Sequence, residues 1–550
     1  MEDKKNLILA IVLCLIILFG WGYFAQYMGW VQTPDPAEMA RQQEVARQEA
    51  AKAEERKAET AKAATLPTFT PAEGRDLRID SPLYEAVLYT GGGPLRSFKL
   101  KEYHTELEKT SPLVNMVDEY TAAVAPLGLV INGQPSWSTG QWSMESPAGN
   151  QELAQGQETV VRLVGLVDNL RVERELTFSA DSYLIKEKLR LINAGDQARS
   201  ARVRYTVAAD ASNANASQYD AMRIAWDMDG SLDEESSEDT LQGKGVQTTG
   251  KIYWAGAMST YFMAAILPGD PNGVTVRGLM QRSVYRAAVE EPEIMLAPAE
   301  TKELTVSYWI GPKDRTLLLQ VSDELAKSID LGMFSAIAKA LIWLLSFFYA
   351  YVHNWGVAII LLTILIKAVF WPLTAKSYAS MEKMKKLQPM MQTLREKYKD
   401  DKERMNKEVM ALYKAYGVNP ASGCVPILIQ LPVFFGLYQA LLTAIELRHA
   451  PFISHLPFTD LVWLADLSAK DPYYITPIIM GATMFLQQKM SPPAADPTQQ
   501  KIMMFLPVIF TVLFLGFPSG LVLYWLVNNI LSIFQQWLMM RKTKTLRDAG

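Results

Sequence analysis

Cysteine and histidine are nearly missing from this chain, with two of the first and four of the second in 550 residues. Cys14 and Cys424 lie in or beside apolar runs, and no CxxC pair exists, so neither a disulfide framework nor a cysteine zinc site is expected. His104, His353, His449 and His455 have no spacing that would gather a metal. The net charge is only −4, which gives no footprint for sequence-specific nucleic-acid binding. Gly91-Gly-Gly93 is followed by neither Lys-Ser/Thr nor a helix signal, so it reads as a turn and not a phosphate loop. No nucleophile or paired-carboxylate motif rises above chance. These absences exclude the usual routes to an enzyme and imply no cofactor and no metal.

Long apolar runs are what the chain does have. Asn6 to Tyr23 follows Lys4-Lys5 and predicts an anchor over 1–26. The alternative is a cleaved secretory signal, but Gly20-Trp-Gly-Tyr-Phe-Ala-Gln26 is aromatic where a peptidase needs small side chains. Residues 27–68 form a polar tether rich in Ala, Glu, Gln, Lys and Arg, too polar to build a core. From 69 to 314 the texture turns to β. Tyr84-Glu-Ala-Val-Leu-Tyr, Val172-Glu-Arg-Glu-Leu-Thr-Phe, Tyr183 to Ile192, Val203-Arg-Tyr-Thr-Val and Leu304-Thr-Val-Ser-Tyr-Trp-Ile alternate with period two. Such runs, bounded by Gly, Pro, Asn and Asp, predict a large antiparallel β-sandwich.

Residues 315–352 read as a soluble linker helix followed by an apolar segment. Ser335, Lys339 and Ser346 share one narrow face of it, which predicts an amphipathic helix lying in the membrane interface, with a further span as the alternative. The region 353–540 holds five spans, near 356–375, 421–447, 472–490, 501–517 and 519–540. With the anchor they make six transmembrane helices. Positive charge crowds the loop 376–418 and the tail 541–550, placing both in the cytoplasm and the β domain outside. The fold class is an α-helical polytopic membrane protein, five of its helices forming a core, with a large extracytoplasmic sandwich.

Lys367 is the anomaly within the first of the five spans. An ammonium near mid-bilayer costs roughly 2.5–3.5 kcal/mol on insertion scales, so it faces a wet cavity or a partner. Thr363 lies one turn earlier on the same face. Snorkelling past Pro372 to the surface is the alternative. Gln430, Gln439, Thr483, Gln487, Asn528, Asn529 and Ser532 are also intramembrane. Singly, each fits a helix–helix hydrogen bond; together around one cation they favour a shared wet cavity. The basic loop has helical period on both arms, which predicts an αα-hairpin with a methionine-rich edge. Lys383, Lys385, Lys386, Arg395 and Arg404, with Arg541 and Lys542 of the tail, either fix topology alone or form a contact surface for partners or anionic lipid.

Several runs carry a resemblance: Trp371-Pro-Leu-Thr, Asn419-Pro-Ala-Ser-Gly-Cys-Val-Pro-Ile-Leu-Ile-Gln-Leu-Pro432, Asp471-Pro-Tyr-Tyr474, Met480 to Pro492 and Phe517-Pro-Ser-Gly-Leu-Val-Leu-Tyr-Trp525. In that order they resemble the YidC/Oxa/Alb family of membrane insertases, and the anchor, tether and β domain resemble its Gram-negative form. The resemblance implies five core helices around a hydrophilic groove, open to cytoplasm and lipid and closed on the outside. The family's groove cation, commonly Arg, falls at Lys367, which keeps the charge and loses the planar fork. Lys367, Thr363, Gln430, Tyr524, Trp525, Thr483, Gln487 and Asn528 are the implied groove residues. The implied function is to insert, fold and help assemble integral membrane proteins in the bacterial inner membrane, alone or with the Sec translocon and its accessory subunits. Other implied partners are nascent membrane proteins, the ribosome, the signal recognition particle receptor and membrane lipid. A secondary transporter is the runner-up, though no duplicated hydropathy supports it.

Overall fold

The computed structural model describes residues 74–139, 141–211, 220–398, 401–417, 425–490 and 497–548. The expected anchor 1–26, the tether 27–68 and both cysteines lie outside the described residues.

Alternation along the first half builds two large sheets. A nine-stranded sheet runs from edge to edge through Ser231–Glu235, Arg223–Met228, Ile252–Met258, Phe262–Pro268, Thr301–Pro312, Leu184–Ile192, Leu170–Ser179, Glu158–Val167 and Trp142–Ser146. A six-stranded sheet faces it, with Val203–Asp210 and Val284–Glu290 packed on Ile252–Met258 and Phe262–Pro268. Along Leu170–Ser179 every second residue is buried, so one face seals the core while the other carries ion pairs such as Arg162–Glu175. A five-stranded sheet completes the domain, and one of its pairings, Ile79 with Gln151, is parallel in an otherwise antiparallel arrangement. Inside the core Arg174 and Glu187 are both fully buried, and the carboxylate also accepts from the Tyr308 hydroxyl at 2.7 Å. That third partner satisfies a charge pair that would otherwise be costly to bury.

The linker predicted as one helix over 315–330 is broken. Arg315–Val321 and Asp323–Ala326 are separated at Ser322, whose extended backbone (φ −164°) ends the first helix while its hydroxyl accepts from Leu325 N at 3.0 Å and caps the second. Helix α1, Ser335–Val352, buries Ala338, Leu341 and Leu345 and leaves Trp343, Phe347 and Tyr351 exposed on the opposite side. His353 adopts the left-handed conformation (φ 51°) at its end, and Tyr349 stacks on Trp355 at 4.0 Å across the turn.

Helix α2, Trp355–Lys397, runs without a break from the first expected span into the first arm of the hairpin, with Pro372 and Pro389 inside it. Helix α3, Lys402–Ala415, returns against it, and Leu387, Met391 and Tyr413 make a small buried core between the two arms. Then follow α4 (Val425–Thr443), α5 (Ile475–Met490), α6 (Pro497–Phe514) and α7 (Ser519–Asp548). By length and composition alone, Ser335–Val352 and Trp355–Met384 are apolar enough to cross a membrane, and Ile429–Thr443 and Met503–Phe514 are shorter apolar helices. Helix α7 packs on α2 and α5, α6 leans on α5, and α4 rests mainly on α1. Consequently α4 touches α2 and α7 at few points. That leaves a seam in the bundle.

Candidate functional site

The bundle is divided along its length. Its buried apolar cluster gathers Ala358, Ile359, Leu362 and Ile366 of α2, Leu437 and Leu441 of α4, Met480 of α5 and Leu521 to Tyr524 of α7. All lie toward the end where the connection 444–474 joins the helices. That end is stapled by side chains: Asn354 Nδ2 donates to Phe452 O at 3.1 Å and Ser519 Oγ to Asp466 O at 2.9 Å. Toward the hairpin the lining turns polar.

Lys367 begins the polar half. At a rise of 1.5 Å per residue it lies roughly 18 Å along α2 from Trp355, about mid-way through a hydrocarbon core. Its Nζ donates to Ser532 Oγ on α7 at 2.7 Å, and among the described residues no carboxylate pairs with it. Ser532 in turn donates to Asn528 O at 2.6 Å, a bond to its own helix one turn back. Asn528 Oδ1 accepts from Gln430 Nε2 on α4 at 2.9 Å, which bridges the seam. Three helices thus share one hydrogen-bonded ribbon. Gln430 and Ser532 sit roughly 20 Å from the stapled end of their own helices, and Thr483 and Gln487 about 12–18 Å from the start of α5. Lys367, Gln430, Ser532 and Gln487 thus lie at similar distances along their helices, with Thr483 about one turn nearer the stapled end, so the polar residues form a belt and are not scattered.

The other expected residues divide. Thr363 is 1% exposed and its hydroxyl donates to Ile359 O at 2.7 Å, so it is closed off within α2. Thr483 donates to Met480 O at 2.7 Å and receives the Asn529 amide at 3.5 Å. Trp525 stands in an aromatic cluster, its ring 4.8 Å from Phe434 of α4 and 5.3 Å from Phe514 of α6. The Tyr524 hydroxyl is buried beside Gln430, whose amide donates to Asn528. Two residues beyond the sequence reading belong here. Gln535 donates to Thr374 Oγ1 at 2.6 Å, and Gln536 buries a side-chain oxygen that accepts nothing. The spacing of Asn528, Ser532 and Gln535 by four and three was the signal that would have found them.

At the hairpin Lys383, Lys386 and Arg404 are exposed, Arg395 is half-buried, and Arg404 lies 5.3 Å from the Tyr398 ring. Arg541 stacks over Trp537 at 4.1 Å. The side chains of Lys385 and Lys542 lie outside the described residues.

Two family matches divide the described chain as the fold does. Residues 76–344 match the YidC periplasmic domain and 347–546 the 60Kd inner membrane protein family. The chain is 55% identical over 540 residues to the membrane protein insertase YidC of Nitratidesulfovibrio vulgaris strain DP4, covering 98% of this chain and all of that protein.

The chain belongs to the YidC family of membrane protein insertases.

The insertase YidC of Lawsonia intracellularis is 51% identical over 543 residues, again covering 98% of this chain and all of that protein. A crystal structure of an active YidC insertase with its first transmembrane domain resolved covers 86% of this chain and 94% of its own at 19% identity, with a TM-score of 0.35. Membership makes the sheet domain a periplasmic domain and the molecule a bacterial inner-membrane protein. In YidC terms the belt around Lys367 lies within the 60Kd inner-membrane match and the sandwich within the periplasmic one.

Proposed function

We propose that this insertase works by lending hydration and one positive charge to the polar tail of a nascent membrane protein, in the belt around Lys367. The observation that carries the reading is the Lys367–Ser532–Asn528–Gln430 ribbon, which joins three helices at one depth. Each unpaired backbone group in hydrocarbon costs several kcal/mol, so even a short polar tail faces a barrier of tens of kcal/mol. A polar cavity reaching half-way shortens the dry path. The ammonium adds attraction for an acidic tail, about 4 kcal/mol at 4 Å and an effective dielectric of 20. Transfer of the substrate's apolar helix into lipid drives the step at roughly 25 cal/mol per Å2.

The exit for that helix is the flank beside the seam. There α4 exposes Ile429, Leu431 and Phe435, and α6 exposes Phe505, Ile509 and Val512, with Trp525 and its aromatic neighbours between the two helices. In this reading the third and fifth of six spans guide the substrate, α1 lies along the periplasmic interface, and both termini are cytoplasmic. The hairpin α2–α3 and the basic tail receive chains from the ribosome or from the signal recognition particle receptor. The Sec translocon, its accessory subunits and anionic lipid are further partners. Photo-crosslinking to a stalled nascent membrane protein tests the proposal. Probes at Lys367, Gln430 and Asn528 capture the substrate tail, and one at the closed-off Thr363 does not. Capture from 363 without capture from 430 or 528 would sink it.

A further inference from the structure

The connection between α4 and α5 contains a small ribbon whose tip is exposed. Phe452 N donates to Leu464 O at 2.9 Å, Trp463 N to Ser454 O at 3.0 Å and Leu456 N to Leu461 O at 2.8 Å, with His455 and Val462 bridged between them. The base is tightly held. Phe452 fills the space that a side chain at Gly356 would need, its ring standing where a Cβ would fall, and buried Trp463 donates through Nε1 to Asp471 at 3.0 Å. The tip closes on Thr459, whose amide and hydroxyl both donate to Leu456 O.

From this fixed base the tip presents Phe458 at 107% relative exposure, with Leu461 at 50% and Val462 at 48%. Phe458 also holds a left-handed backbone (φ 67°), which bulky residues rarely adopt and which persists only when the surroundings impose it. A phenylalanine held outward in a strained turn is poor design for water. The ribbon hangs between the stapled ends of two apolar helices, and the next exposed large apolar residues along the chain are Tyr473 and Tyr474, after exposed Ala469, Lys470 and Pro472, followed by Ile478 and Ile479 on the outer side of α5. Paired tyrosines ahead of exposed aliphatic residues mark a headgroup boundary. The apolar tip thus lies on the same connection as that boundary, with the ammonium of Lys470 between them at headgroup level.

We infer that the Leu456–Leu461 tip is a membrane finger, its Phe458 side chain seated in the headgroup–acyl boundary of the outer leaflet, where it holds the closed end of the bundle at a fixed depth. This rests on reading α4 and α5 as spans. The exposed titratable groups of the connection are His455 and Asp460 at the ribbon and Lys470 just before α5, so insertion is shallow and not spanning.

The test uses the full chain in lipid nanodiscs with Cys14 and Cys424 replaced by serine and one new cysteine carrying an environment-sensitive fluorophore. Three positions are compared: Phe458→Cys, Ile478→Cys on α5, and Met295→Cys on the exposed sandwich surface. With nitroxide-labelled lipid, position 458 is expected to lose about half its emission when the quencher is shallow and less when it is deep. Position 478 is quenched at both depths and 295 at neither. Quenching at 478 without quenching at 458 overturns the finger and leaves the spans standing. No quenching at either position overturns both. A probe at 458 that is shielded only at high protein density, and is insensitive to quencher, marks contact with a second copy and also overturns the inference. The Phe458→Asp variant, read by a label at Leu461→Cys, is expected to lose that quenching while its thermal unfolding midpoint stays within error of the parent.

Discussion

Replacing Lys367 by glutamate keeps a long polar side chain opposite Ser532 and reverses the field in the belt. Substrates with acidic translocated tails should then insert at least about tenfold more slowly in a protease-protection assay, since attraction of a few kcal/mol becomes repulsion. Neutral-tailed substrates should lose much less, and Lys367→Arg should retain activity on both. Equal losses for both tail classes would leave a wet belt without an electrostatic role. A second titratable residue acts on stability. Glu291 is buried beside Asp270 with no cation paired to it among the described residues, and burial pushes its carboxyl from 4.5 up to about 7. The folded chain therefore holds a proton there that the unfolded chain releases. That stability is complete below pH 4.5 and is lost as the pH climbs through about 7. Glu291→Gln, which cannot ionise, should gain about 2 kcal/mol over the parent at pH 8 and little at pH 4.5. Thermal unfolding of the full chain in detergent at the two pH values reads this. A variant no more stable than the parent at pH 8 would mean that the buried carboxyl finds a partner when charged. Lys367 stood out in the sequence because an ammonium in an apolar run is an anomaly by itself. Gln535 and Gln536 did not, because taken singly an amide near the end of a span looks like an ordinary interfacial residue; only their helical spacing from Ser532 puts them on the belt's face.

Elements were legible where polar and apolar residues alternate, most often with one face buried and the other wet, although Val203–Asp210 alternates at its start and is buried throughout. Leu170–Ser179 and Leu184–Ile192 show that alternation and were expected. Ile252–Met258 is buried on both faces, and Arg223–Met228 is nearly so; neither has a period to read, and both escaped notice. The linker helix failed for a different reason, a serine that serves as the end of one helix and the cap of the next. In α2 the first span, near 356–375, and the first arm of the hairpin 376–418 were read as separate stretches and are one helix, with Pro372 and Pro389 inside it. The start of α5 shows how a short motif earns its place. Asp471, 1% exposed, accepts from Trp463 Nε1 at 3.0 Å, Tyr473 N at 3.0 Å, and Thr476 N and Oγ1 both at 2.7 Å. One carboxylate thus caps α5, locks the turn before it and fixes the ribbon base. Asp471→Ala leaves those donors buried and unmatched, and should cost about 3 kcal/mol. Hydrogen exchange over 475–479 should quicken, with the thermal midpoint falling in parallel. Unchanged exchange there would mean that water or a shifted loop replaces the carboxylate.

At the scale of the molecule, the sandwich and the bundle share a core, which no periodicity could have announced. Ala338 of α1 and Ala440 of α4 belong to the same buried apolar cluster as the strands, as do Ile445, Leu325, Ile329 and Leu331. Arg448 fastens the joint from the bundle side, donating to His104 O at 2.8 Å with its guanidinium 5.4 Å from the Phe262 ring. The 313–331 stretch therefore belongs to the seat of α1 as much as to the sheets. Two truncations separate these roles. Removing residues 76–312 and closing the gap with a flexible linker should leave a single-span substrate inserting at about half the parent rate or better, because the belt at Lys367 lies on the far side of the apolar cluster. Extending the cut to residue 331 strips α1 of Leu325, Ile329 and Leu331, lets α4 lose its support, and should abolish insertion. Protease protection of a reconstituted substrate, normalised to the amount of truncated chain in the membrane, distinguishes them. Loss of insertion with the shorter cut alone would make the sheets a working part of the insertase, and the belt would then be only half of the machine.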